Sequence, residues 1–542
     1  MPLADIPVEL FLDNLLPLAD VRDVLSLGST DRSFAALCAD ETFWKRKCKE
    51  DFNFTSQETA RQSGWKNLYR GLRYPKIFVW GQRANGRLGL KTIPKGLGVG
   101  IPYPIEVKIP GSRIVSLVAG GMSFHAVDSE GSMFVWGTLN GESQSLHSEG
   151  FSVKYKTASE PHRLLMPNPI RTVSCGRLHT MALDSKNHIW TFVNWGRPFR
   201  LDSPMLDCSL PETTPMQAES GWSFSSILTH SGDILAFWPF SGQVGRLCDE
   251  ENLAMDEWGT CHAYPTSDRH IPCVTWTLRA DPLRIPPIPE LPELNDTGLS
   301  QEERSKRTTL IKIAAFDNHI IGLTNKGHVL KFGDLSNEKS FDRTTRWQYL
   351  ENFSELSKVA SHPAFRDERS GLTAPTSLRI THITAHFETF VAYSTGSSSI
   401  ILMGDVHTNK DSQPKVIPYL QNRGVISTVL GDYHYGALTA DGQLLTWGQY
   451  SHGALGLGIP TELPLGAPGG YATESQLSQS RRSQWGPLEP PSVILPSQVH
   501  FNHGPNPGGR RFCFAATAAG WHMGALVACL EVGSLPGFEC HC

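Results

Sequence analysis

Histidines, cysteines and glycine-rich loops are the residues of this chain whose chemistry could be catalytic, and their spacing argues against it. His125, His179, His319, His434 and His522 recur one to a copy of an internal repeat, each shortly after a glycine or another small residue. A metal site or a general base needs side chains that converge. One histidine per copy suits a structural bond to neighbouring backbone instead. KGLGVG (95–100) and GALGLG (453–458) have the glycine density of phosphate-cradling loops. Neither opens a helix behind a strand and no G-K-[ST] occurs, so nucleotide binding is not expected. The ending ECHC (539–542) reads as a frayed tail with exposed thiols, not as a metal site, and it lacks prenylation spacing. No nucleophile stands beside a base. The chain is therefore expected to be non-catalytic, with no metal and no cofactor.

Composition narrows the classes further. The 542 residues carry 49 Lys and Arg against 53 Asp and Glu, and 40% are apolar. That is ordinary globular composition, too neutral for a protein held on nucleic acid by bulk charge. Eleven cysteines without a CxxC pair, and a start MPLADIPVEL with no basic n-region, predict a reducing compartment. Cytoplasm is the expectation, with the nucleus as the second choice. No run approaches ~18 apolar residues, so no membrane span is expected.

The elements that position these residues fall into two parts. Residues 1–75 read as short helices. Val8, Phe11, Leu12, Leu15 and Leu16 recur at helical spacing behind Pro7. Asp20, Asp31 and Asp40 each stand where a helix would be capped, and a fifth helix is predicted over 56–72. So few residues bury too little to be robust alone, and helices this apolar are expected to finish their core against something else.

From Lys76 the texture turns to short β-rich runs. WGQRANGRLGL (80–90) and WGQYSHGALGL (447–457) share W-G-Q-x-x-x-G-x-L-G-L, with a weaker copy at 237–247. Two alternating strands joined by a tight turn precede several copies, as in 116–137, 172–192, 221–238, 313–333 and 429–448; 383–404 is a degenerate member. Gly131, Gly232, Gly327, Gly442 and Asn187 occupy the turn position that needs positive φ. The markers fall at Trp80, Trp136, Trp195, Trp238, Phe332, Met403 and Trp447. Copies of a four-stranded unit at this spacing predict radially packed sheets. The unit at 515–528 lacks a second half and the one at 77–90 lacks a first half, so joining them closes a ring of seven. Insertions at 248–309, 335–378 and 459–510 read as partly disordered surface loops. The fold class expected is mainly β, a seven-bladed β-propeller preceded by a small all-α module.

The second part resembles repeats of the regulator-of-chromosome-condensation family. The first resembles an F-box: Ile6, Pro7, Glu9, Leu10, Leu15, Leu16, Val21 and Trp44 meet its L-P-x-E-L and spaced-leucine pattern. Ile6 replaces the usual leucine, and GSTDRSFAALC (28–38) lacks the common V-C-R. The pair in this order resembles fungal SCF-associated factors. Domains are then expected as F-box 1–50, linker helix 51–75, propeller 76–530 and tail 531–542.

The resemblance implies a substrate receptor of a cullin-based ubiquitin ligase. Its F-box would complete its core on a Skp-type adaptor, and its propeller would bind a protein substrate. Pro7, Leu10, Leu15, Leu16, Val21, Leu25 and Trp44 are the adaptor-binding candidates, and Trp195, Arg197, Trp238 and Phe240 the substrate-binding ones. The repeats alone would fit a guanine-nucleotide exchange factor, a chromatin binder or a scaffold. Residues 1–75 hold 10 Lys and Arg and 11 Asp and Glu, so there is no basic arm for DNA. No nucleic-acid and no membrane partner is expected.

Overall fold

Seven sheets surround one axis in this computed structural model, which describes residues 6–55, 59–95, 97–139, 157–258, 263, 265–341, 344–367, 371–396, 398–483, 488–502 and 510–530. The ECHC tail lies outside the described residues. In chain order the blades are 1 (114–165), 2 (170–202), 3 (215–237 with 283–284), 4 (310–349), 5 (382–405), 6 (425–498) and 7 (510–530 with 76–107). The ring closes as expected: Lys76–Gln82 pairs antiparallel with His522–Leu530, so strands from both ends of the chain share blade 7. Among the described residues no helix is long and apolar enough to cross a membrane.

The repeat motif has a packing meaning. The indole of Trp80 in blade 7 donates to Ala454 O of blade 6 at 2.7 Å. A Cβ on Gly456 would stand 2.7 Å from that same indole, and one on Gly89 would stand 2.7 Å from Trp136 of blade 1. The glycine of L-G-L is therefore the flat seat on which the next blade's tryptophan rests. The hairpin turns also form as read: φ is +81° at Gly131, +86° at Gly232, +103° at Gly327, +83° at Gly442 and +64° at Asn187.

The insertion 248–309 was expected to be a surface loop, and its described residues are instead built into the sheets. A helix, Gly242–Trp258, leads into it. His270–Pro272 then runs parallel to Thr157–Leu165 and gives blade 1 a fifth strand. Trp276–Arg279 does the same for blade 2 against Phe199–Asp202. Only then does Leu283–Arg284 return as the fourth strand of blade 3. Short returns also lie within the other two insertions: Gln348–Tyr349 completes blade 4 and Val493–Gln498 completes blade 6.

The N-terminal helices form largely as their caps dictate. The Asp31 carboxylate accepts from the N–H groups of Ser33 and Phe34 at 2.7 and 3.0 Å, and that of Asp40 from Phe43 at 2.7 Å. Asp20 departs from expectation, because it stands at the N-cap of Val21–Leu27 without a side-chain hydrogen bond. The fifth helix is shorter than read, Trp65–Gly71. Gly64 turns left-handed at φ +80°, and Glu41 supplies the cap by accepting from the N–H groups of Gly64 and Trp65, both at 2.9 Å.

Residues 59–62 are not helical because they bond to the propeller. Ala60 N–H donates to Ile426 O at 2.6 Å, Arg61 to Ala440 O at 3.1 Å, and the Gln62 amide to Thr395 Oγ1 at 2.8 Å. Phe11, Leu16, Trp44, Trp65 and Leu72 join Ile77, Val79 and Phe514 in one continuous apolar cluster. The helices thus complete part of their core on the propeller itself.

Candidate protein-interaction surfaces

Backbone geometry at the end of the Pro7–Leu18 stretch decides which adaptor candidates face outward. Pro7 starts Val8–Leu10, and the wide turn Phe11–Leu15 follows before Leu16–Leu18. Phe11, Leu16 and Val24 point into the core. The opposite side leaves Val8 48%, Leu10 53%, Leu15 41%, Leu18 87% and Leu25 39% exposed. Five large apolar side chains exposed within residues 8–25 make this stretch a candidate interaction surface, since singly scattered ones would need no explanation. Pro7 is also exposed, and Val21 is half-buried.

Two of the seven candidates lie elsewhere. Leu16 and Trp44 are 2% and 1% exposed. The Trp44 indole donates to Cys38 O at 2.9 Å, and its ring packs edge-on against Phe43 and Tyr69 at 5.1 and 5.0 Å. Both residues shape the module from within. Val8 and Leu18, which the sequence reading did not select as interface residues, are more exposed than Leu15 or Leu25. Helical periodicity identifies an apolar face but not which half of that face its own fold covers.

The substrate candidates are placed in the scaffold. Trp195, Arg197 and Trp238 are buried, and Phe240 is half-buried. Trp195 donates to His125 Nε2 at 3.3 Å, Trp238 to Leu335 O of blade 4 at 2.8 Å, and Phe240 packs edge-on against His179 at 5.9 Å. Arg197 forms a 2.6 Å ion pair with Asp256 and fixes the helix Gly242–Trp258 to blade 2. These positions correspond to the tryptophan end of each repeat, where one blade is sealed onto another. They therefore pack blades instead of lining a loop surface.

The histidines are structural in this arrangement, with one correction of register. Gly176 N–H bonds to His179 O and Gly431 N–H to His434 O, and Phe224 occupies the same place in blade 3. In blade 1 that place falls to Ser123, and His125 stands two residues later on the strand. His125 Nε2 accepts from the Trp195 indole, so the ring is neutral with its proton on Nδ1, 3.1 Å from Cys175 Sγ. His179 Nε2 lies 2.8 Å from Ser225 Oγ, and His522 Nε2 lies 3.2 Å from Ser123 O. Each bond crosses to the following blade.

Burial holds these imidazoles neutral. It pushes His125 and His179 down to about 3, and His319 and His434 down to about 4, from the usual 6.5. The folded values lie below the unfolded one, so on acidification the unfolded chain takes up protons first. Stability is then lost as pH falls through 6.5 toward 4–3, and these groups give no pH dependence above about 7.5. For the three fully enclosed rings His125, His179 and His434, the loss from pH 7 to 5.5 is on the order of 4 kcal/mol together. Urea midpoints at the two pH values measure it, and equal midpoints would contradict neutral burial.

Open turns between the first and second strands of the blades carry residues that the repeat reading passed over: Arg177, Trp222, Phe387 and Tyr433. The signal for Trp222, Phe387 and Tyr433 was an aromatic residue inside a turn, where packing does not require one.

Comparison with known proteins places both parts in one kind of molecule. No protein-family model matches the chain. It is 22% identical over 537 residues to the F-box protein pof9 of Schizosaccharomyces pombe, covering 96% of this chain and 89% of that one. It is 30% identical over 139 residues to SCF-associated factor 1 of Saccharomyces cerevisiae, covering 24% of this chain and 19% of that one. Among solved structures, Prp20p of Saccharomyces cerevisiae superposes with a TM-score of 0.50 at 14% identity, covering 84% of this chain and 92% of that one, which bears on the fold alone. An exposed apolar face on N-terminal helices, a closed ring of seven blades, and a full-length match to an F-box protein converge: the chain resembles F-box proteins built on chromosome-condensation-regulator repeats, as the fungal SCF-associated factors do.

Proposed function

We propose that this protein is the substrate-recognition subunit of an SCF-type cullin ubiquitin ligase, in which the N-terminal helices bind a Skp-type adaptor and the propeller holds a protein substrate. The observation that carries the reading is the exposed row Val8, Leu10, Leu15, Leu18 and Leu25 on a module whose other side is already covered by blade 7. An adaptor helix laid on that row would bury it, with Leu10 and Leu15 as central anchors and Pro7 and Val21 at its margin. The full-length likeness to an F-box protein supports the same assignment. The chain itself transfers nothing. It supplies proximity, and associated enzymes carry out the conjugation.

Co-purification of the tagged full-length chain with a Skp-type adaptor and a cullin tests the proposal. Wild type is expected to bring down both. Leu10→Asp with Leu15→Asp should weaken adaptor binding by about 1,000-fold, two anchors at about 2 kcal/mol each. Both side chains are exposed, so the thermal melt should not change. If wild type recovers neither partner, the F-box assignment fails. Accelerated nucleotide release from a small GTPase would then be the next activity to assay.

A further inference from the structure

The two ends of the propeller are not equivalent. The helical module rests on the end that carries the turns between second and third strands. Arg61 bonds there to Ala440 O and Gln62 to Thr395, each just ahead of such a turn, and Asn53 bonds to Ile170 O at the start of blade 2. The opposite end presents the turns between first and second strands.

Three of those turns meet through aromatic rings. Trp222 of blade 3 lies 6.1 Å, centroid to centroid, from Phe387 of blade 5, and Phe387 meets Tyr433 of blade 6 edge-on at 5.6 Å. Blades 3 and 5 are not neighbours, so the contact passes across blade 4, whose Asp317 carbonyl accepts the Trp222 N–H at 2.9 Å. Phe387 has φ +51°, a left-handed conformation that a bulky residue adopts only when its surroundings enforce it, and such residues cluster at binding sites. Here that backbone geometry delivers the ring to the platform.

Charge gives the platform a polarity. The guanidinium of Arg177 already stands over the Trp222 ring at 5.4 Å, so this aromatic surface accepts a cation. On the adjoining turns of blades 4 and 5 the half-buried Asp317 carboxyl and the exposed Glu388 repel each other. Burial first, and Glu388 second, push the Asp317 carboxyl above its usual value. A basic side chain carrying apolar carbons would relieve that repulsion and cover the rings at once.

We propose that the platform formed by Trp222, Phe387 and Tyr433 beside Asp317 and Glu388 is a docking site for a basic, flexible segment of a protein substrate. The proposal rests on the substrate-receptor reading and deepens it: the substrate enters on the end of the propeller opposite the adaptor-binding helices, through a lysine or arginine.

Fluorescence anisotropy of the full chain tests it with three labelled probes: a flexible peptide carrying two arginines and a leucine, its twin with glutamates in place of the arginines, and a single-stranded oligonucleotide. The arginine peptide is expected to bind. Trp222→Ala and Glu388→Lys should each weaken it about tenfold, while Glu130→Lys, on a turn at the other end, should leave it unchanged. Glu388 is exposed, so its substitution reports on binding and not on folding. No binding of the arginine peptide, indifference to Glu388→Lys, or tighter binding of the glutamate peptide or the oligonucleotide would overturn the site. Adaptor co-purification of the same preparations separates the two readings. Adaptor binding without peptide binding discards this platform and keeps the receptor, and the reverse keeps the platform and discards the ligase.

Discussion

A chain ended after Phe512 is expected to leave solution as aggregate. The cut removes most of Arg510–Ala519 and all of His522–Leu530, and the latter is the strand paired with Lys76–Gln82. Blade 7 would keep two strands, and the backbone groups of Lys76–Gln82 that bonded to the lost strand would form an open edge. Phe514, Ala525, Leu526 and Val527, all fully buried in the intact protein, would vanish from between blades 6 and 1. An unpaired edge beside bared apolar surface templates association with another chain. Size-exclusion chromatography with light scattering should show no monomer. A monomeric truncation that melts cooperatively would refute ring closure as the source of stability.

The second large effect is expected at a single carboxylate. Arg197 is fully buried, and its guanidinium meets Asp256 at 2.6 Å, with a weaker bond to Asn252 O at 3.4 Å. The pair itself need not be strongly stabilising, because taking two charges out of water offsets much of their attraction. Removing one member is different. Asp256→Ala removes the carboxylate that pairs with this buried guanidinium, at a cost of about 3 kcal/mol. The helix Gly242–Trp258 would lose its anchor, and with it the lead into the added strands of blades 1 and 2. A urea melt measures the loss. Asp256→Ala combined with Arg197→Met should recover much of it, since an apolar side chain of similar length then fills the space. An Asp256→Ala midpoint equal to wild type would show that the helix is held by its apolar side alone.

These two sites differ in how readable they were. Ring closure was legible because a half-unit lacking its partner at each end of the repeat region can only be satisfied by the other. The hairpin glycines were legible because a turn of this length forces one left-handed residue. The Arg197–Asp256 pair was not. It joins positions 59 apart across an insertion, and nothing local distinguishes Arg197 from any other arginine. The added strands were equally hidden. His270–Pro272 and Trp276–Arg279 are too short for alternation to register, and their parallel partners belong to other blades.

At the N-terminal helices, pattern gave the apolar stripe. It could not tell Trp44, sealed against Tyr69, from Leu10, which stands in water. That distinction depends on Trp65–Gly71 packing back onto Glu41–Phe52, a tertiary event without a local signature. The aromatic platform was missed for a related reason: Trp222, Phe387 and Tyr433 sit in three separate turns, and only the packing of blades 3 to 6 brings them together.

The pairing of Lys76–Gln82 with His522–Leu530 also sets a schedule. The strand next to the N-terminal helices emerges from the ribosome early, while the strand that completes its sheet is made only after residues 83–521. At roughly 5–20 residues per second that delay is about 20 to 90 seconds. Throughout it, the helices lack part of their floor, since Gly71 finally packs on Ala528 and Phe54 on Phe514. Blades 1 to 6 can form in order as they appear, but the seventh and the helices above it mature together, last. A partner that engages the finished helical surface would therefore meet it only on chains that have been read through to the final blade.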